Sequence, residues 1–124
     1  DAPLEAIEIK PKRRFFDYQA KYESGETEYI VPAPVSWEVM GLLKETALKA
    51  HNLLGCSFFS RVDIILDKTN KPFILEVNTI PGFTATSLLP KAALAKGIAF
   101  PDLVARISEA AFSASRSRVG VLVG

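Results

Sequence analysis

Two predicted strands carry charged and amide side chains at positions that would otherwise be apolar. Residues 60–87 read SRVDIILDKTNKPFILEVNTIPGFTATS, in which two strand-like runs flank a short polar turn. Because side chains alternate between the two faces of a strand, Arg61 and Asp63 share one face of the first run. By the same rule, Glu76 and Asn78 share one face of the second run. These four side chains have the chemistry to bind a cation and a phosphate.

The pairing of the two runs decides whether these side chains meet. If Asp63 lies opposite Glu76, Arg61 falls opposite Asn78. Residues 68–71 then form a four-residue hairpin loop, which is a common length. Carboxylate and amide oxygens on rigid strands suit Mg²⁺, which prefers a few carboxylates together with phosphate oxygens and water. An adjacent arginine suits a phosphate or a developing oxyanion. The alternative is a solvated strand face with an ordinary cross-strand ion pair.

The second run leads into a turn rich in breakers and then into hydroxyl side chains. Residues 79–82 are Thr-Ile-Pro-Gly, and Thr84, Thr86 and Ser87 follow before an apolar helix. A helix N-terminus presents unpaired N–H groups and a favourable dipole to an anion. The sequence therefore predicts a phosphate or carboxylate site here, and the alternative for Ser87 is a simple helix cap.

Three segments carry a resemblance to a known family. The runs RVDIILD, LEVNTIPGFTATSLLPKAA and FFDYQAKY resemble the C-terminal part of the D-alanine–D-alanine ligases, which are ATP-grasp enzymes. The resemblance covers residues 5–112. It implies an α/β (α+β) fold in which helices pack on the mostly antiparallel sheet of the ATP-grasp large lobe. It also implies a cytoplasmic ligase that uses ATP to join two D-alanines through an acyl phosphate, for the peptidoglycan of the cell wall.

The resemblance implies a role for each residue that matches the family's motif. Asp63, Glu76 and Asn78 look like the ligands of the Mg²⁺ ion, or of Mn²⁺ in its place, that bridges the ATP phosphates. Arg61 resembles the family's arginine that steadies the transferring phosphate and the later oxyanion. Gly82 sits where the family uses a backbone N–H as an oxyanion donor.

Further matches concern the substrates. Ser87 and the N–H of Leu88 match the pair that holds the carboxylate of the second D-alanine. Lys21 matches a loop lysine that contacts phosphate or a substrate carboxylate. Tyr22 would hold that loop closed and favour a dipeptide over an ester as product. Phe15 occupies a position associated with packing on adenine.

One family match is left out of the predicted site. Leu75 corresponds to another adenine contact in the family. Strict alternation points it away from Glu76, however, and places Ile74 on the face of Glu76 instead.

The resemblance implies that parts of a complete ligase lie outside this chain. Residues 1–112 correspond to the C-terminal ATP-grasp subdomain, without the N-terminal domain and the small ATP-grasp lobe. The isolated chain is therefore expected to be inactive. Residues 113–124 read as a Ser/Arg-rich linker and a terminal strand, VGVLVG, that resembles the family's first N-terminal strand. A rearranged, permuted or fused chain would explain this order, and a chance terminal strand is the alternative.

Three functions from different classes stay open. The first is D-alanine–D-alanine ligase activity of the parent enzyme. The second is the activity of another ATP-grasp carboxylate–amine ligase that uses a different amino acid. The SLLPKAA run favours the first function over the second. The third is an inactive nucleotide-binding half-domain. Affinities, a homodimer, and completion of the site by another chain also stay open.

Composition excludes several other classes. The chain has 124 residues, of which 48% are hydrophobic, so it can hold one modest core and one domain is expected. A net charge of +1 gives no reason to expect binding to nucleic acid or to an anionic membrane. The sequence shows no apolar run of membrane-spanning length. The single cysteine, Cys56, excludes an internal disulfide.

The elements that must position these residues follow an alternating α/β pattern. A strand is predicted from Leu4 to Lys10, then a polar loop from Glu23 to Pro34. Ser36 is predicted to cap a helix that ends near Leu54, with Gly55 after it. The hairpin, a short helix over residues 87–96 and a last helix from Pro101 complete the prediction.

The first helix has an apolar stripe that we expect to be buried. Its members are Val39, Leu42, Leu43, Thr46, Ala47, Ala50, Leu53 and Leu54. His51 lies off that stripe, so we expect a solvated histidine rather than a catalytic one.

Overall fold

Antiparallel strand pairs and packed helices make up the described part of the protein. The computed structural model describes residues 2–11 and 27–119, with side chains up to residue 114. The strands are β1 (Glu8–Pro11), β2 (Thr27–Ile30), β3 (Arg61–Leu66) and β4 (Pro72–Asn78). The helices are α1 (Trp37–Leu53), α2 (Leu88–Ala95) and α3 (Phe100–Val119). β1 pairs with β2 and β3 pairs with β4, both antiparallel, which confirms the predicted mixed fold.

The first strand pair differs from the sequence prediction. β1 begins at Glu8 rather than at Leu4, and its last residue, Pro11, is paired with Thr27. β2 lies inside residues 23–34, which the sequence predicts to be a loop because of their glycine and prolines. The four residues of β2 are too few to show a strand periodicity in the sequence. Their backbone N–H and C=O groups find hydrogen-bond partners through the pairing with β1.

Helix α1 begins and ends with the caps that the sequence predicts. Ser36 Oγ accepts a hydrogen bond from the backbone N–H three residues later, at 3.3 Å. Gly55 follows the helix with a φ of +65°, which glycine adopts without steric cost. The Cys56 N–H donates to the His51 carbonyl at 3.0 Å, and the Gly55 N–H donates to the Asn52 carbonyl at 3.0 Å. This pair of bonds is a Schellman motif, and it fixes the direction in which the chain leaves the helix.

Helix α1 packs against both strands of the β3–β4 hairpin. The buried hydrophobic residues of the described part are Ala33, Leu43, Ala50, Ala92, Ala93 and Leu103. In the predicted stripe of α1, Leu43 and Ala50 are buried. The prediction is wrong for Leu42, Leu53 and Leu54, which are 40%, 86% and 66% exposed. The hairpin covers the middle of the helix, whereas periodicity alone takes no account of how far the covering layer extends.

Helix α3 is longer than the sequence predicts. It packs against α2 and continues to Val119. The Ser/Arg-rich residues 113–118, which the sequence predicts to be a linker, are therefore helical. Serine lowers helix stability only slightly relative to alanine, and arginine is a good helix former. A Ser/Arg-rich composition therefore does not end the helix here. Residues 120–124 lie outside the described residues.

An open groove of about 1130 Å³ lies between the N-terminal segment, α1, the hairpin and the last two helices. Apolar side chains from each of these elements line it, among them Leu4, Leu48, Ile64, Leu89 and Ile107. An ion pair between Glu5 Oε1 and Lys44 Nζ at 2.6 Å joins the N-terminal segment to α1 at the edge of the groove. The described elements thus surround this space without filling it.

The carboxylate of Asp67 holds the loop that joins β3 to β4. Its Oδ1 accepts hydrogen bonds from the Thr69 N–H at 2.7 Å, the Thr69 hydroxyl at 2.7 Å and the Lys71 N–H at 2.9 Å. The bond from the Thr69 hydroxyl, followed by the backbone bond from Lys71, lowers the pKa of Asp67. Asn70 adopts a φ of +63°, a conformation that asparagine tolerates. The loop spans residues 67–71, one residue more than predicted.

Replacement of Asp67 by Ala is expected to destabilise the hairpin, mainly near neutral pH. Because the folded pKa is lowered, the carboxylate stabilises the fold fully above its ordinary value of 3.8. That contribution is lost as the pH falls through the folded value. Amide hydrogen exchange of β3 and β4 should show lower protection in Asp67→Ala than in the matched variant Lys68→Ala at pH 7, with a smaller difference near pH 3. Equal protection at both pH values would contradict this role.

Candidate functional site

The hairpin has the predicted register at its charged end. Asp63 lies opposite Glu76, and Arg61 lies opposite Asn78. Because directly opposed residues of an antiparallel pair share a face, two carboxylates, an amide and a guanidinium meet on one face of the hairpin. The predicted juxtaposition is confirmed.

A β-bulge follows directly after this cluster. Ile64 is paired with Ile74, so Leu75 is an additional residue of β4 between two regular pairs. The bulge breaks strict alternation, and the prediction that Ile74 shares the face of Glu76 is wrong for this reason. Phe73 lies on the face of Glu76 instead, because it is paired with Ile65, which shares the face of Asp63. The argument for leaving out Leu75, which is 62% exposed, therefore no longer holds.

The Arg61 guanidinium bridges the two carboxylates. Its Nε donates to Asp63 Oδ1 at 2.7 Å and its Nη2 donates to Oδ2 at 3.0 Å, which is a bidentate contact. The same Nη2 lies 3.4 Å from Glu76 Oε1. The Asp63 side chain is 17% exposed and that of Glu76 is 49% exposed. The formal charges of these two carboxylates and one guanidinium sum to −1, and Glu76 is the most exposed of the three.

These residues fit a magnesium ion by the chemistry of their donors. Asp63 and Glu76 offer carboxylate oxygens, and Asn78 offers an amide oxygen. Asn78 Oδ1 accepts a hydrogen bond from the Ile80 N–H at 2.9 Å, which orients the amide and leaves a second lone pair. The described ranges contain no group of three or more His, Cys, Asp or Glu residues that could hold a metal. An ion at this face would therefore need phosphate oxygens and water as further ligands, as Mg²⁺ prefers.

Aromatic rings hold the loop after β4 against the rest of the site. Phe83 stacks on Phe59, just before β3, with ring centroids 5.7 Å apart. Its ring centroid lies 5.5 Å from that of Phe100 at the start of α3. Pro81 is buried in the same loop. Such aromatic contacts stabilise beyond the area that they bury, and they place the loop beside the entry to the charged strand.

Ser87 precedes α2, but its side chain does not cap the helix. Its Oγ accepts a hydrogen bond from the Thr84 N–H at 3.0 Å and lies 2.8 Å from Thr84 Oγ1. The simple-cap alternative for this side chain is therefore wrong. The first-turn N–H groups of α2, among them that of Leu88, have no partner within the helix. This end of the helix combines a hydroxyl with backbone donors.

Gly82 lies against the Ser87 hydroxyl. A Cβ atom at position 82 would lie 3.1 Å from Ser87 Oγ and 3.7 Å from Ser87 Cβ. A side chain at position 82 would require the Ser87 hydroxyl to shift by a few tenths of an ångström, because 3.1 Å is tighter than ordinary van der Waals contact. The absence of a side chain at Gly82 thus accommodates the observed position of that hydroxyl.

The predicted site residues fall into three groups. The hairpin brings Arg61 together with the predicted metal ligands, and the loop before α2 brings Gly82 together with Ser87. The three residues Phe15, Lys21 and Tyr22 lie outside the described residues.

Sequence reasoning missed the environment of two residues. His51 is not solvated as predicted, because its Nδ1 lies 2.8 Å from Ser60 Oγ and the residue is partly buried. Thr84 holds the Ser87 hydroxyl. The cluster of hydroxyl residues before α2 is a sequence signal that could have indicated the role of Thr84. No such signal exists for His51, because helical periodicity does not predict a contact with the following loop.

None of the helices in the described ranges is long and apolar enough to cross a membrane.

The chain is similar to one protein family along most of its length. The sequence model of the family described as D-ala D-ala ligase C-terminus matches residues 2–109. A D-alanine–D-alanine ligase of Methylacidiphilum infernorum is 48% identical over 109 residues, which cover 88% of this chain and 36% of the relative. The chain thus spans little more than a third of the length of the curated relatives that it matches.

Solved structures show the same similarity. Two crystal structures of the D-alanine–D-alanine ligase of Bacillus anthracis, one complexed with ATP, superpose with TM-scores of 0.77 and 0.75. Both are 34% identical and cover 93% of this chain and 37% of theirs. The VanG D-Ala:D-Ser ligase of Enterococcus faecalis superposes with a TM-score of 0.74 at 33% identity, covering 86% of this chain and 31% of its own.

Proposed function

This chain belongs to the family of the D-ala D-ala ligase C-terminus, and we propose that it supplies the phosphate site and the acceptor site of an ATP-dependent D-alanine–D-alanine ligase. The observation that carries this proposal is the hairpin register, which sets Asp63 opposite Glu76 and Arg61 opposite Asn78. The ATP complex of the Bacillus anthracis ligase supports ATP as the nucleotide.

The first half-reaction is transfer of the γ-phosphoryl group of ATP to the carboxylate of one D-alanine. An acyl phosphate forms and ADP leaves. Asp63, Glu76 and Asn78 would hold Mg²⁺, or Mn²⁺ in its place, which supplies neutralisation of the charge on the phosphate oxygens. Arg61 would turn part of its guanidinium from Asp63 to the transferring phosphoryl group, since a planar fork suits either anion.

The second half-reaction is attack of the amine of a second D-alanine on the acyl carbon. The nitrogen gives up a proton, a tetrahedral oxyanion forms, and inorganic phosphate leaves. Arg61 and the Gly82 N–H would donate to that oxyanion. Loss of one such donor costs about 2.7–4 kcal/mol in other enzymes. Ser87 and the Leu88 N–H would hold the carboxylate of the attacking D-alanine.

Residues outside the described part have proposed roles as well. Lys21 would contact phosphate or a substrate carboxylate, and Tyr22 would keep the loop closed over the acyl phosphate. Phe15 would pack on adenine. The product would be a precursor of cell-wall peptidoglycan made in the cytoplasm.

The test is a product assay on a complete ligase that carries these 124 residues. With ATP, Mg²⁺ and D-alanine, we expect ADP, phosphate and D-alanyl-D-alanine in equal amounts. ADP formation without dipeptide would contradict the proposal, and formation of neither ADP nor dipeptide would favour the inactive nucleotide-binding half-domain.

A second candidate is ligation of D-alanine to a different acceptor. The similarity to the VanG D-Ala:D-Ser ligase, at a TM-score of 0.74, favours D-serine as the acceptor to test first. Competition between D-alanine and D-serine in the same assay separates the two, and preferential formation of D-alanyl-D-serine would replace the first candidate by the second.

Ser87→Ala is expected to raise the KM for the acceptor amino acid more than the KM for ATP. The change removes a hydrogen bond to a carboxylate, a class of bond that contributes about 1.5–3 kcal/mol. That range corresponds to an increase of about 10-fold or more.

Ser36→Ala is the matched control for a purely structural serine. It removes a genuine helix cap, which costs about 1 kcal/mol of stability, and should leave the acceptor KM unchanged. An unchanged acceptor KM in Ser87→Ala would mean that Ser87 only holds the loop.

A further inference from the structure

The loop between α1 and β3 contains a strained turn just before the charged strand. Phe58 has a φ of +64°, which lies in the left-handed region that residues other than glycine rarely adopt. The Phe59 N–H donates to the Ser57 carbonyl at 2.7 Å across it. A positive φ at the middle residue and a bond between its neighbours are typical of the rarer, strained kind of γ-turn. Strain of this kind persists only where the surrounding structure holds it.

His51 holds this turn from both sides. Its backbone carbonyl accepts a hydrogen bond from the Cys56 N–H at 3.0 Å, before the turn. Its ring Nδ1 lies 2.8 Å from Ser60 Oγ, after the turn. One residue of α1 therefore fixes both ends of the loop formed by residues 56–60.

The far end of this loop is the residue before Arg61. The Arg61 guanidinium makes contacts of 2.7–3.4 Å with Asp63 and Glu76. Contacts at these lengths depend on the position of the Arg61 Cα atom. Relaxation of the strained turn would shift the backbone at residues 60 and 61 and thereby displace that atom. The bond between His51 and Ser60 opposes such relaxation.

We propose that His51 is a positioning residue for Arg61, acting through the hydroxyl of Ser60. The inference rests on the proposed role of Arg61 at the transferring phosphoryl group. His51 does not touch substrate. It keeps the first residue of β3 in the place from which the guanidinium reaches the reacting atoms.

The test measures kcat and KM separately in a complete ligase that carries these residues. His51→Ala should lower kcat about 10-fold, because small misplacements of a catalytic group cost one to two orders of magnitude. The KM values for ATP and D-alanine should stay within about twofold, because the nucleotide and acceptor contacts are untouched. Ser60→Ala should reproduce the effect by removing the partner hydroxyl.

Two further variants separate positioning from a general loss of stability. His51→Asn places an amide nitrogen near the position of Nδ1 and should recover most of kcat. Asn52→Ala changes the neighbouring exposed position of the same helix and should leave kcat unchanged.

A double-mutant cycle shows whether the effect passes through Arg61. If it does, His51→Ala should lower kcat little further in an Arg61→Lys background, because coupled residues are not additive. Full additivity, or a wild-type kcat in both His51→Ala and Ser60→Ala, would overturn the inference. Absence of dipeptide from the unmodified ligase would instead overturn the proposed function, so the two failures are distinct.

Discussion

Glu76→Gln is expected to lower Mg²⁺-dependent turnover of a complete ligase by about 100-fold or more, which corresponds to about 2.7 kcal/mol of transition-state stabilisation. Glutamine keeps the length of the side chain and one oxygen but removes its charge. The cluster then holds one carboxylate, Asp63, already in a bidentate contact with Arg61. Its net charge rises from −1 to zero, so its attraction for a divalent cation falls.

The measurement is kcat as a function of Mg²⁺ concentration. Raising Mg²⁺ should recover part of the activity in Glu76→Gln, since the remaining oxygen donors still bind the ion weakly. Glu109→Gln, which changes an exposed carboxylate on α3, should behave as the unmodified enzyme. Near-normal activity of Glu76→Gln at low Mg²⁺ would remove Glu76 from the proposed metal site.

The polypeptide of these 124 residues alone is expected to form no detectable D-alanyl-D-alanine. The match to a relative named as a ligase covers only 36% of that relative, which is therefore nearly three times as long as the matched part. On the charged face of the hairpin Glu76 is 49% exposed, and Ile65, Phe73 and Leu75 on the same hairpin are 54%, 48% and 62% exposed. Apolar surface next to a charged cluster indicates a face that another part of a ligase covers. Without that cover, water reaches the reacting phosphate and the substrates are not held together.

The control is the same assay with a complete ligase at equal concentration. A second arm adds the remainder of the ligase as a separate polypeptide, which should restore activity in part if the two pieces associate. Dipeptide formation at an ordinary enzymatic rate by the 124-residue polypeptide alone would refute this one-sided description of the site.

Local features of the site could be predicted because they depend on patterns within a few residues. The alternation of side chains along residues 61–66 placed Arg61 and Asp63 on one face, and the assumed register at the charged end is the observed one. The loop is one residue longer than assumed, and the bulge at Leu75 restores the pairing of Asp63 with Glu76. Helix α1 was predictable for the same reason, since Ser36 and Gly55 are end signals with a direct steric or hydrogen-bonding cause. The family resemblance rests on continuous runs of residues, and the matched family confirms it.

The tertiary structure decided the features that depend on irregular backbone or on contacts between distant segments. The bulge at Leu75 is one such feature, because no periodic pattern shows an additional residue in one strand. β2 exists through its partner β1, which lies across an intervening segment of the chain.

The contacts of His51 and Ser87 belong to the same class. Helical periodicity predicted that His51 is solvated. The strained turn at Phe58 instead directs the chain back toward α1, so that Ser60 Oγ contacts the His51 ring. Ser87 has the sequence position of a helix cap, yet the N–H and hydroxyl of Thr84 hold its hydroxyl in the loop instead. The sequence determined which chemical groups were available at this face. Backbone geometry over several residues determined which partner each group met, because a hydrogen bond requires a distance and an angle that composition and spacing do not specify.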